Sequence, residues 1–188
     1  MLIVAALAMT GLASATALAA SADDAVAAFV ARINAAVAPI KPGDRSAIRK
    51  ACAALVAEAF DFQTMGAMIA GEAWGRMNQQ QRSAYVDGLS RRAVSDCASH
   101  GNEMAGNLLD LVGTRPGPDG DSMVAVKQSK GRGRTIIWQV RADAGGALRA
   151  VDMTVDGKSL ATDARRDAKA VLKKTGGDVT ALVRSVGG

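Results

Sequence analysis

A single histidine and two cysteines stand in 188 residues. That is too few ligands for a closed zinc site of the usual Cys/His type, and a Ser-His-Asp triad would have to be built around His100 alone. Aromatic residues are also scarce, with three Phe, two Trp and one Tyr. Any large cavity must therefore be lined mainly by aliphatic side chains. There is no Gly-rich phosphate loop, because Gly131-x-Gly133 sits between two strand-like runs with no helix after it. The paired carboxylates, Asp23-Asp24 and Asp119 with Asp121, fall at a chain end and in a turn, where they read as solvated charge. No repeat and no long linker divide the chain. These absences weigh against an enzyme.

What is present is an ordinary globular balance, 49% apolar and 22% charged, enough for one domain with a core of its own. Residues 1–22 carry no charged side chain. Their apolar run Leu2-Ile3-Val4-Ala5-Ala6-Leu7-Ala8-Met9 gives way to Ala17-Leu18-Ala19-Ala20, which fits an A-x-A cleavage site. Gly11, Ser14 and Thr16 make a poor membrane span. Residues 1–20 thus read as a signal peptide and 21–188 as the mature domain, exported to the periplasm. In an oxidising compartment Cys52 and Cys97 can pair, and a bridge is slightly favoured over two buried thiols on apolar helix faces.

Helical spacing comes first along the mature chain. Val26, Phe29, Val30, Ile33 and Val37 form one stripe, ended by Pro39 and Pro42. Ile48, Cys52, Leu55 and Ala59 form the next. Asp61, Asn78 and Asp178 are natural N-caps for three further helices. From about Leu108 the period changes to two. Leu109 with Leu111, then Met123 to Gln128, then Ile136, Trp138 and Val140, then Val151, Met153 and Val155 predict four strands with short turns. Two helices close the chain. The predicted class is α+β: a curved, antiparallel, four-stranded sheet with helices packed on one face.

The net charge is +5. Lys127, Lys130, Arg132, Arg134 and Arg141 form one basic group, and Arg165, Arg166, Lys169, Lys173 and Lys174 another. Such groups attract anions. Nucleic-acid readers interleave stacking aromatics, and here only Trp138 stands near, so no nucleic-acid partner is expected. Lipid head groups or an acidic protein fit better.

The order of motifs resembles the MlaC family, the periplasmic phospholipid-binding components of Mla-type transport systems, also called the toluene-tolerance family. The resemblance rests on Phe60-Asp61-Phe62 with Met65, then Gly71-Glu72-Ala73-Trp74, then Gln80, Arg82 and Tyr85. It continues through Val151-Asp152-Met153-Thr154-Val155-Asp156-Gly157-Lys158-Ser159-Leu160 and the tail Gly176-Gly177-Asp178-Val179-Thr180-Ala181-Leu182-Val183. It implies a cone-shaped, nuclear-transport-factor-like or MlaC-like fold. It further implies a carrier with bound phospholipid as cargo, no cofactor, no metal and no catalytic residue. The implied partners are an outer-membrane lipoprotein/porin complex and an inner-membrane MCE-domain ABC transporter. Moving a diacyl lipid through water exposes tens of methylenes at about 0.8 kcal/mol each, so a carrier must offer an apolar slot. The faces expected to line it are Ile136, Trp138, Val140, Val151, Met153 and Val155 on the sheet, opposed by Met65, Ile69, Trp74, Tyr85 and Leu89 on helices. The alternatives are a hopanoid-associated carrier of the same family, a non-lipid adaptor binding an acidic protein, and a small enzyme using His100 as base.

Overall fold

The structure, a computed structural model, describes residues 13–130 and 133–187, with side chains from Ala22 onward, leaving out residues 131 and 132. Most of the expected signal segment, together with Gly131 and Arg132, lies outside the described residues. Six helices come first: α1 (Ala13–Val37), α2 (Arg45–Ala59), α3 (Phe62–Ala70), α4 (Glu72–Arg76), α5 (Gln79–Ser99) and α6 (Gly101–Met104). Then come β1 (Leu109–Pro116), β2 (Ser122–Gln128), β3 (Thr135–Ala142), β4 (Leu148–Val155) and β5 (Lys158–Ser159), followed by α7 (Leu160–Lys174) and α8 (Val179–Val186). Among the described residues no helix is long and apolar enough to cross a membrane.

The helix starts follow from capping chemistry. Asp44 accepts from Ala47 N at 2.9 Å, and Asp61 from Thr64 N at 3.0 Å. Asn78 and Gln81 form a reciprocal capping box at 2.8 and 2.9 Å. Ser159 and Asp178 start α7 and α8 in the same way.

The sheet runs in sequence order, antiparallel throughout, and has five strands where four are predicted. The fifth is only Lys158–Ser159, paired with Val155 and Thr154 across Asp156-Gly157. Both turn residues take left-handed backbone, φ 49° and 80°, as a two-residue hairpin requires. Two residues are too few for alternation to reveal a strand. Two irregularities also interrupt the strand pairing. On the edge strand β1 the register slips between Leu111 and Gly113, and Leu111, though paired with the buried Val126, is 46% exposed. On β4, Ala150 pairs with Val140 and Asp152 with Gln139, so Val151 is the extra residue of a bulge.

The interior is two clusters. In the first, α1 and α2 lie over the sheet face bearing Val124, Val126, Trp138, Val140 and Ala150. The second is built by α3, α4, α7 and α8 around Met65, Tyr85 and Leu182. Helix α5 serves both: Val94, Cys97 and Ala98 pack on the first, Tyr85 and Leu89 in the second. Its approach to α8 requires Gly88, where a Cβ would fall 2.6 Å from Val186 Cγ2 and 2.8 Å from its carbonyl oxygen. Cys52 and Cys97 are joined in a disulfide that ties α2 to α5.

Candidate functional site

Of the residues expected to line a slot, Ile136, Trp138, Val140 and Met153 come together in the sheet cluster. Met65, Ile69, Trp74, Tyr85 and Leu89 come together in the helical cluster. The two sets do not oppose one another. Val151 is fully buried yet falls outside both clusters, and Val155 is half-buried, also outside them. Helical and strand periods identify the apolar side of each element. They do not say which other element covers it.

What faces the sheet set is α1. Phe29 meets Trp138 edge-on, with ring centroids 5.6 Å apart. On its other side Trp138 meets Phe60 at 5.4 Å, and Phe60 meets Phe62 at 5.5 Å. Phe60 and Phe62 are half-buried, so this row of rings runs from the interior to the surface. Phe60 packs against both clusters and therefore marks the seam between them. It is held there by a bridge to Ala150 and by Asp61 N donating to Ala150 O at 2.9 Å, on the edge of β4 that β5 does not reach. Phe29, Phe60, Val124, Val126 and Ala150 are missing from the sequence-based site. The stripe containing Phe29 and the alternation of β2 were visible, but their partner was not.

Basic groups stand beside the seam. Arg149 Nη1 donates to Glu58 O at 2.6 Å and Ala57 O at 3.0 Å, capping the end of α2. Its Nε donates to Asp143 Oδ2 at 3.2 Å, and that contact holds the Asp143 carboxyl below the usual carboxylate range. Arg32 donates to Leu148 O at 2.7 Å and lies over the Phe29 ring.

One carboxylate departs from its predicted role. Asp121 is not solvated: it is 4% exposed and accepts from Gln139 Nε2 at 2.6 Å and twice from Arg141, at 2.6 and 3.1 Å. The turn after Pro116 folds this side chain back over the outer end of β3. Its hydrogen bond pushes the Arg141 guanidinium further up. Its neighbour Asp119 does point outward. The other basic residues are partly paired, Arg134 with Glu103 and Asp156, and Arg166 with Asp163. His100 caps the end of α5, exposed, with Nδ1 3.0 Å from both Ser99 Oγ and Asp96 O. Among the described residues no cluster of His, Cys, Asp and Glu could hold a metal ion.

Two clefts stand out among the described residues, both open to solvent. One of about 500 Å³ is lined by Arg134, Thr135, Ile137, Thr154 and Asp156, and one of about 380 Å³ by Ala22, Asp23, Val26 and the β1–β2 turn. Between the sheet and α1, where the sequence predicts a slot, Phe29, Trp138 and Val140 are buried in one cluster.

Tyr85 gives a pH signature of the helical cluster. Burial pushes its hydroxyl from near 10 up to about 12, with Arg92 opposing. The folded chain then holds the proton more tightly than the unfolded chain. The contribution of Tyr85 to stability is constant below about pH 10 and falls as pH rises from 10 towards 12. Since Tyr85 is the only tyrosine, an ultraviolet titration reads it alone. Tyr85→Phe should flatten the alkaline arm of a urea-midpoint profile relative to the native chain.

Comparison with known proteins gives two matches. The family model for MlaC protein matches residues 24–186. Among solved structures, the chain is similar to a phospholipid-binding protein from Ralstonia solanacearum determined in complex with a phospholipid. The TM-score is 0.69 at 20% identity, covering 89% of this chain and 93% of that one. None of the curated proteins matches.

Proposed function

The chain belongs to the MlaC family, and from that premise we propose that it carries phospholipid through the periplasm. Residues 1–20 are its signal peptide, and the mature domain shuttles lipid between an outer-membrane lipoprotein/porin complex and an inner-membrane MCE-domain ABC transporter. The observation that carries the reading is the row Phe29, Trp138, Phe60 and Phe62, an apolar path from the sheet–helix interior to the surface. Acyl chains enter at Phe60 and part α1 from the sheet, replacing side-chain contacts by methylene contacts of similar kind. Burying tens of methylenes at about 0.8 kcal/mol each readily offsets that loss of packing. The phosphate stays at the rim near Arg149 and Arg32. Carriage is exchange between apolar sites and assigns no acid, base or metal.

Native mass spectrometry of protein purified from periplasmic extract without detergent tests this. Near-stoichiometric phospholipid is expected, lost on extraction with organic solvent and regained from phospholipid vesicles. Protein that is lipid-free as isolated and takes up none from vesicles would overturn the proposal.

A further inference from the structure

Among the described residues the buried polar side chains are paired with one exception. Asn107 Oδ1 accepts from Lys130 N at 2.8 Å, and Asp121 accepts from both Gln139 and Arg141. Trp138 Nε1 is the only buried side-chain nitrogen or oxygen without a hydrogen-bond partner among the described residues. The residue is 3% exposed and stands in mid-strand on β3. Around it are Phe29, Phe60, Val124 and Met153, none of which offers more than a thioether or a ring face. An indole N–H is a donor only, and leaving one unpaired in an apolar interior is unfavourable. Position adds a second constraint, because Trp138 is one ring away from the half-buried Phe60 at the seam.

We propose that the Trp138 N–H donates to an ester carbonyl of the bound phospholipid. The inference rests on the carrier reading and adds the chemical feature that is recognised. When a diacyl lipid leaves a membrane for an apolar slot, its phosphate can stay at a wet, basic rim. Its ester carbonyls lie just below and lose their water. They are acceptors without donors, and the protein holds a donor without an acceptor at that level. Joining the two removes both deficits in a low-dielectric setting, where a hydrogen bond is electrostatically stronger than in water. The site therefore selects ester-linked over ether-linked chains, since a dialkyl ether lipid has the same tails and head group but no carbonyl.

The test compares uptake of diacyl phosphatidylglycerol and its dialkyl ether analogue from vesicles by the delipidated protein and by Trp138→Phe. Smaller ring bulk weakens both lipids alike, and only loss of the donor weakens the ester selectively. The native chain should prefer the ester by about tenfold, the worth of one well-made hydrogen bond. That preference should shrink towards parity in Trp138→Phe. Equal uptake of ester and ether by the native chain overturns the inference without any variant having to fold. A preference that persists undiminished in Trp138→Phe overturns it as well. Uptake of neither lipid by the native chain instead overturns the carrier reading.

Discussion

Replacing Cys52 and Cys97 together by alanine is expected to lower stability by about 4 kcal/mol, since the bridge closes a 45-residue separation. For a domain of this length that corresponds to roughly 8–16 °C in Tm. The loss acts mainly on the unfolded chain, which regains the loop entropy that the bridge removed. It also reaches the folded state, because the bridge joins α2, which covers the sheet, to α5, which belongs to both clusters. The bridge thus holds the two helices as one wall. Thermal melts with and without reductant check this. The native chain in reductant should approach the double variant, and the double variant should not respond to reductant. A native chain that melts at the same temperature in both buffers would remove the bridge from the account.

Phe29→Ala should separate the unloaded from the lipid-loaded protein. Phe29 is completely buried and packs edge-on against Trp138. Truncating a buried phenylalanine costs about 3–5 kcal/mol through lost burial and the cavity left behind. Delipidated Phe29→Ala should therefore melt lower by roughly 6–20 °C. If acyl chains lie between α1 and the sheet, methylenes occupy that space once lipid is bound, and the loaded variant should lose less than half as much. By linkage, the difference between the two losses must reappear as tighter lipid binding by the variant. A side chain that fills the interior thus competes with the cargo, and shortening it favours the cargo. The measurement is a pair of melts, delipidated and reloaded, for each protein. Equal destabilisation of both forms would place the lipid somewhere other than between α1 and the sheet.

Much of the fold was legible because its signals are local. Asp61, Asn78 and Asp178 cap helices in the structure as their positions indicate, since a cap needs only its own next turn. The change of period near Leu108 marks the passage from helices to sheet. β5 leaves no periodic signal because two residues cannot display a period, and the bulge at Val151 adds one residue without any mark in composition. A turn carboxylate such as Asp121 is ordinarily solvated. Its burial depends on Gln139 and Arg141, which arrive from another strand.

By itself the sequence determined the order and kind of the elements, the apolar side of each, and the only two cysteines available for a bridge. It also carried the motifs by which the family could be recognised. The tertiary structure alone decided that Ile136, Trp138, Val140 and Met153 face α1 rather than the helices bearing Met65 and Tyr85, and that Phe60 joins the two clusters. It alone left the Trp138 N–H buried without a partner. The physical reason is range. Propensity, capping and periodicity are set by neighbours within a turn or a pleat. Which apolar faces meet is settled by packing between segments far apart in the chain, where many pairings bury similar area and only shape chooses among them.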